Sequence, residues 1–185
     1  MKKIILFAAI LFAGVSVIKA EGGTTTTENK QSTLTVKLKP YQIINVTGNA
    51  EIVFDSKDDY KAAEKEQTTG DVNVSVSSAG GFSVKIYADD LELAGSTDKK
   101  IAADNIRVLA TGVGESVANT ITNDVTLENT NNVLIESGSG RIDNSYTVAF
   151  KAINGEVFRQ AFDGNGSNAA EQVYTTTVYY EISAK

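Results

Sequence analysis

From Ser32 onward apolar and polar residues alternate with a period of two over most of the chain. That is the pattern of strands with one buried face. The stretch Ser32–Pro40, STLTVKLKP, sets Leu34, Val36 and Leu38 on one face and Thr33, Thr35, Lys37 and Lys39 on the other. It predicts a strand ending at Pro40, the single proline, where the missing N–H does no harm. Ile44 and Val46 precede a turn at Thr47-Gly48-Asn49, and Ile52 and Phe54 follow it. Val72, Val74 and Val76 alternate with Asn73, Ser75 and Ser77. After Ala79-Gly80-Gly81 come Phe82, Val84, Ile86 and Ala88. The pairs Ile106/Val108, Val125/Leu127 and Val133/Ile135 mark three short strands, and Tyr146, Val148, Phe150 and Ala152 mark another. The chain closes on VYTTTVYYEIS, with Tyr174, Val178, Tyr180 and Ile182 on one face.

About 8–10 strands separated by Gly, Asn, Asp and Ser turns predict an all-β fold, an antiparallel immunoglobulin-like β-sandwich. The one helical candidate, Lys57–Gln67, is charged, with Tyr60 and Ala63 as its only apolar stripe. It predicts a turn of helix or a solvated connection between strands. A linker inside residues 111–124 is the only internal boundary the composition suggests.

The first twenty residues change the picture of where this fold works. Lys2 and Lys3 form a basic start, Ile4–Val17 is an apolar run too short to span comfortably, and Ala20 offers a small residue for cleavage. Residues 1–20 are read as a cleaved signal peptide, 21–31 as a flexible polar tail and 32–185 as one β-sandwich domain. Export to the cell surface or medium is expected, with the periplasm left open, and no integral membrane span in the mature chain. No cysteine follows the leader, so a lipid-modified N-terminus is excluded. None occurs anywhere, so the core must hold without disulfides.

The leader carries three lysines and no acid. Without it the chain has 14 basic and 23 acidic residues, a net charge of −9. Nucleic acid and anionic membrane surfaces would be repelled. Histidine is also absent. That removes the commonest general base, the Ser/His and Cys/His nucleophile pairs and the usual zinc sites. A non-enzymatic protein without cofactor is the expectation.

Four sets of residues offer candidate chemistry. Asp55, Asp58 and Asp59 cluster after a strand and have calcium-ligand chemistry, but without ligand spacing they read as a solvated loop. Asp163-Gly-Asn165-Gly-Ser167-Asn168 opens like a calcium loop, yet lacks glycine at its sixth place and has Tyr174 where the twelfth should be acidic. Asn45-Val46-Thr47, Asn73-Val74-Ser75 and Asn165-Gly166-Ser167 match the glycosylation acceptor pattern, at a frequency chance explains. Tyr174, Tyr179 and Tyr180 form a candidate ligand surface by stacking on sugars, or else pack across strands.

The order of features is informative as a whole. A polar tail leads into TLTVKLKP, then AEIVFDSKDDY, then VNVSVSS and FSVKIYADD, and TTTVYYEIS ends the chain. This order resembles the major subunits of alpha-type, colonisation-factor-like bacterial fimbriae, small secreted pilins that likewise lack cysteine. Residues 100–145 have no counterpart in it. The resemblance implies an incomplete immunoglobulin-like sandwich completed by the N-terminal segment of the next subunit. Leu34, Val36 and Leu38 would then enter pockets between its sheets. It implies other subunits as partners in a homopolymer. Alternation alone leaves a second arrangement open, in which the same strand completes its own sandwich. The protein would then be a monomeric binding module for a surface glycan or protein receptor.

Overall fold

A computed structural model of the protein describes residues 31–113, 120–162 and 170–185. The leader, most of the polar tail, the centre of the 111–124 stretch and the Asp163–Asn168 loop lie outside them. Leu38–Lys185 forms one compact unit.

The described chain is all-β apart from short helical pieces. Its strands are β1 (Gln42–Thr47), β2 (Glu64–Glu66), β3 (Val72–Ser78), β4 (Phe82–Ala88), β5 (Leu91–Leu93), β6 (Lys100–Ile101) and β7 (Ile106–Val113). They continue as β8 (Thr120–Thr122), β9 (Asp124–Thr126), β10 (Asn132–Ser137), β11 (Arg141–Ile153), β12 (Tyr174–Thr175) and β13 (Val178–Ala184). Every pairing among them is antiparallel. One sheet runs β1-β3-β11-β7-β9, with β2 also on β11. A second runs β13-β4-β10-β8, and β12-β5-β6 form a small third.

The alternation explains the core directly. Val72, Val74 and Val76 of β3, Val108 and Ala110 of β7, and Tyr146, Val148 and Phe150 of β11 turn inward from the first sheet. Phe82, Val84 and Ile86 of β4 turn inward from the second; on β10 the expected Val133/Ile135 alternation is broken by a register shift between those two residues, and the adjacent Leu134 and Ile135 are the buried pair. Each such side chain contributes roughly 1.5–3 kcal/mol when fully buried, enough in sum to hold the fold without a disulfide.

Four further expectations change. No strand forms over Ser32–Pro40, and Leu34, Val36 and Leu38 are 87%, 70% and 91% exposed. A strand exists only through pairing, so alternation without a partner edge gives extended chain. In Lys57–Gln67 the expected turn of helix forms, as a 3-10 turn at Asp59–Lys61, but Glu64–Glu66 is a strand, β2, rather than a solvated connection, because Lys65 pairs with Asp59 while the backbone of Glu64–Glu66 finds the edge left by β11. An α-helix that the periodicity does not signal, α1 (Gly155–Ala161), follows β11. The C-terminal face is not continuous either. Tyr174 belongs to β12 and pairs with β5, whereas Val178, Tyr180 and Ile182 lie on β13 and pair with β4.

Candidate functional site

After β1 the chain leaves its partner through a tight crossing. Gly48 has φ 92° and Gly70 φ 84°, and a Cβ on either would lie 1.9 Å from a carbonyl oxygen of the other strand, Asp71 and Asn49 respectively. Only glycine permits this approach. Beyond it, residues 50–55 form no strand and are tied to the domain by the Glu51–Thr69 bridge and by Val53 N–H donating to Thr68 Oγ1 at 3.0 Å. Ile52 and Phe54 still point at the core.

The consequence is an open groove of about 1150 Å³. Val46, Ile52 and Phe54 line it from the segment after β1, and Val173, Val178 and Tyr180 from the C-terminal segment. Its deepest contacts are core residues, among them Val72, Ile106, Leu127 and Phe150. Phe54 stacks on Phe158 of α1, centroids 4.8 Å apart, and leans on Tyr60 at 5.2 Å. Tyr60 Oη donates to the Phe54 carbonyl at 3.2 Å. β1 and β13 are the edge strands of their sheets and lie beside each other. Edge strands carry unpaired N–H and C=O groups along one side.

The groove opens at one pole of the domain and the chain enters at the other. The Tyr41 carbonyl, just before β1, accepts from Ala79 N–H at 3.1 Å in the β3–β4 turn. The groove begins at Val46, at the far end of β1. Five residues of extended chain, at about 3.3 Å each, separate the two by roughly 17 Å.

Charge at the groove is mostly negative. Glu51, Asp55 and Glu171 line it and are exposed. Among the described residues its one lining cation, Arg159, is committed to Glu156, with Nε 2.6 Å from Oε2. That guanidinium, then Gln160, holds the Glu156 carboxyl down to about 2.

The three tyrosines do not form one surface. Tyr174 and Tyr180 line the groove. Tyr174 Oη donates to the Ala161 carbonyl at 2.9 Å. The Tyr180 hydroxyl is buried and finds no hydrogen-bond partner among the described residues, and burial pushes its pKa up. Tyr179 lies on the opposite face of β13, stacked on Tyr87 with centroids 5.0 Å apart. Each of those rings turns one face to the other, and Tyr179 remains exposed. Strand parity could have separated Tyr179 from Tyr180. The groove residues Val46, Ile52, Phe54 and Phe158 carry no motif, and only the non-strand course of residues 50–55 brings them together.

The aspartate cluster is a loop clasp. Asp59 Oδ1 takes Lys65 Nζ at 2.6 Å, and Oδ2 accepts the Asp55 and Ser56 amides at 3.2 and 3.1 Å. Lys65 foremost, with the Ser56 and Asp55 bonds, holds the Asp59 carboxyl well below the usual carboxylate range. Among the described residues no group of three or more His, Cys, Asp or Glu could hold a metal ion. No helix among them is long and apolar enough to cross a membrane.

Outside, the first sheet presents two rows almost free of charge: Thr47–Asn73–Thr147–Thr111 and Asn45–Ser75–Ser145–Val113. Two of the three acceptor patterns for glycosylation, at Asn45 and Asn73, fall within these rows and supply four of their seven polar residues, Asn45, Thr47, Asn73 and Ser75. No protein-family model matches this chain, and no curated protein is significantly similar to it.

Proposed function

We propose that this is an exported, non-enzymatic structural or adhesive protein of the bacterial surface. Its domain is an immunoglobulin-like sandwich that assembles with further copies by strand donation. The observation that carries this reading is the state of the N-terminal segment. Leu34, Val36 and Leu38 are exposed and unpaired, although their alternation is that of a buried strand. Three exposed apolar residues in register are costly in water, and each contributes roughly 1.5–3 kcal/mol once buried. The groove supplies what they lack, an apolar slot lined by Val46 at the end of β1, by Ile52 and Phe54, and by Val178 and Tyr180 of β13. Main-chain hydrogen bonds would give such a strand its affinity, and side chains entering pockets its selectivity. Because the chain enters at one pole and the groove opens at the other, the contact is head-to-tail and propagates into a filament.

The chain has no native cysteine, which makes a clean test available. One sample carries Val36→Cys and a second carries Val173→Cys. Mixed and oxidised, they are expected to give a mixed disulfide dimer in clear excess over either self-pair. Absence of that product at concentrations where the chains associate overturns strand donation.

A second reading rests on the outward rows of Ser, Thr and Asn. Short uncharged hydroxyl and amide groups, exposed in register, suit the hydroxyls of a glycan, and the protein is then a monomeric binding module. Glycan-array binding lost on Thr147→Lys, in a chain that stays monomeric, would favour it over assembly.

A further inference from the structure

Resting on the strand-donation reading, we infer that charge selects the contact between copies: Lys37 and Lys39 of the incoming segment pair with Glu51, Asp55 and Glu171 at the mouth of the next copy's groove. The donated segment is one-signed. Gln31–Tyr41 contains these two lysines and no acid. With Leu34, Val36 and Leu38 turned into the groove, strand parity sends Thr33, Thr35, Lys37 and Lys39 to the opposite, outward side. The receiving surface has the other sign. Its three carboxylates are exposed, and among the described residues none of them is in an ion pair. Glu51 Oε2 accepts only from the Thr69 hydroxyl at 2.9 Å. Arg159, the one cation that lines the groove among the described residues, is held by Glu156 and does not neutralise them.

Two consequences follow from placing these charges at the mouth rather than in the depth. Exposed pairs add little affinity but steer encounter and reject wrong partners. For a chain whose mature form carries −9, like charges otherwise keep copies apart. The short basic segment is then what lets one acidic domain approach another in a single orientation. Hydrophobic burial of Leu34, Val36 and Leu38 supplies most of the affinity, and the lysines decide where and how fast the segment docks.

The test is self-association of the exported chain, followed by sedimentation velocity in sodium chloride. Association is expected to weaken about tenfold between 0.1 and 1 M salt, as the screening length falls from about 10 Å to about 3 Å. Lys37→Glu with Lys39→Glu should weaken it by a similar factor at low salt, with the thermal melt unchanged. Glu51→Lys with Glu171→Lys, mixed with that variant, should restore it. If the chain associates but neither salt nor the charge swap alters it, the charge inference is wrong while strand donation stands. If the chain is monomeric at every salt concentration, strand donation itself is overturned, and this inference with it.

Discussion

Two segments of this protein read alike and behave differently. Ser32–Pro40 and β13 both alternate with period two, and each sets three apolar residues on one face: Leu34, Val36 and Leu38 in the first, Val178, Tyr180 and Ile182 in the second. β13 is paired over seven residues with β4, and its inner face packs on the core. Ser32–Pro40 has no strand partner, and its apolar face is exposed. Alternation therefore encodes which face seeks burial and says nothing of what buries it. For β13 the partner lies in the same chain. For the N-terminal segment we look to another copy.

The sharpest way to break this contrast is truncation. Ending the chain before Val178 removes an entire sheet edge, and loss of the cooperative unfolding transition by circular dichroism is expected. Removing residues 21–37 is expected to leave that transition in place while abolishing association. If both truncations unfold the domain, the two segments are equivalent and the contrast fails. Next in size is Ile86→Ala. Ile86 is fully buried and sits opposite Tyr180 on β13. A loss of about 2–5 kcal/mol in denaturant unfolding is expected, as for other large-to-small changes in a core.

Smaller effects come from two of the perturbed titrating groups, Asp59 and Tyr180. Asp59 is held below its ordinary pKa, so its contribution is complete above the ordinary carboxyl range near 4 and is lost as pH falls through its depressed value. Asp59→Asn should flatten the acid limb of the stability profile. The Tyr180 hydroxyl is shifted the other way, so stability is complete below about pH 10 and declines as pH rises above it. Tyr180→Phe removes that decline and, because the hydroxyl has no hydrogen-bond partner among the described residues, changes neutral-pH stability by about 1 kcal/mol or less, toward greater stability. The least effect is expected at Val36→Ala, within about 0.5 kcal/mol in the monomer, as for other surface changes. A larger loss at Val36 would mean the segment is buried within its own chain.

Much of the fold was legible because burial on one face leaves a period of two. β3, β4, β7, β10 and β11 are all marked by alternating Val, Ile, Phe and Tyr, and Gly48 announces the turn after β1. The short strands β2, β5, β6, β8 and β12 were not legible, since two or three residues carry no period. Their pairing is decided by which edges other strands leave open. The candidate site was legible in half. Leu34, Val36 and Leu38 stand out in the sequence. The groove does not, because Ile52 and Phe54 alternate as a strand would, yet the Gly48–Gly70 crossing takes them out of the ladder and leaves a gap.

By itself the sequence determined the all-β character, the inward faces of the long strands, a core without disulfides and an acidic surface. These follow from local alternation and composition, each set by residues within a few positions of one another. Only the tertiary structure decided that Tyr174 sits on a strand of its own, apart from β13, that Asp59 clasps a loop, and that a groove opens at the pole opposite the chain's entry. Those depend on which distant backbones meet. A hydrogen-bonded edge is satisfied by whatever strand reaches it, and the side-chain pattern alone does not name that strand.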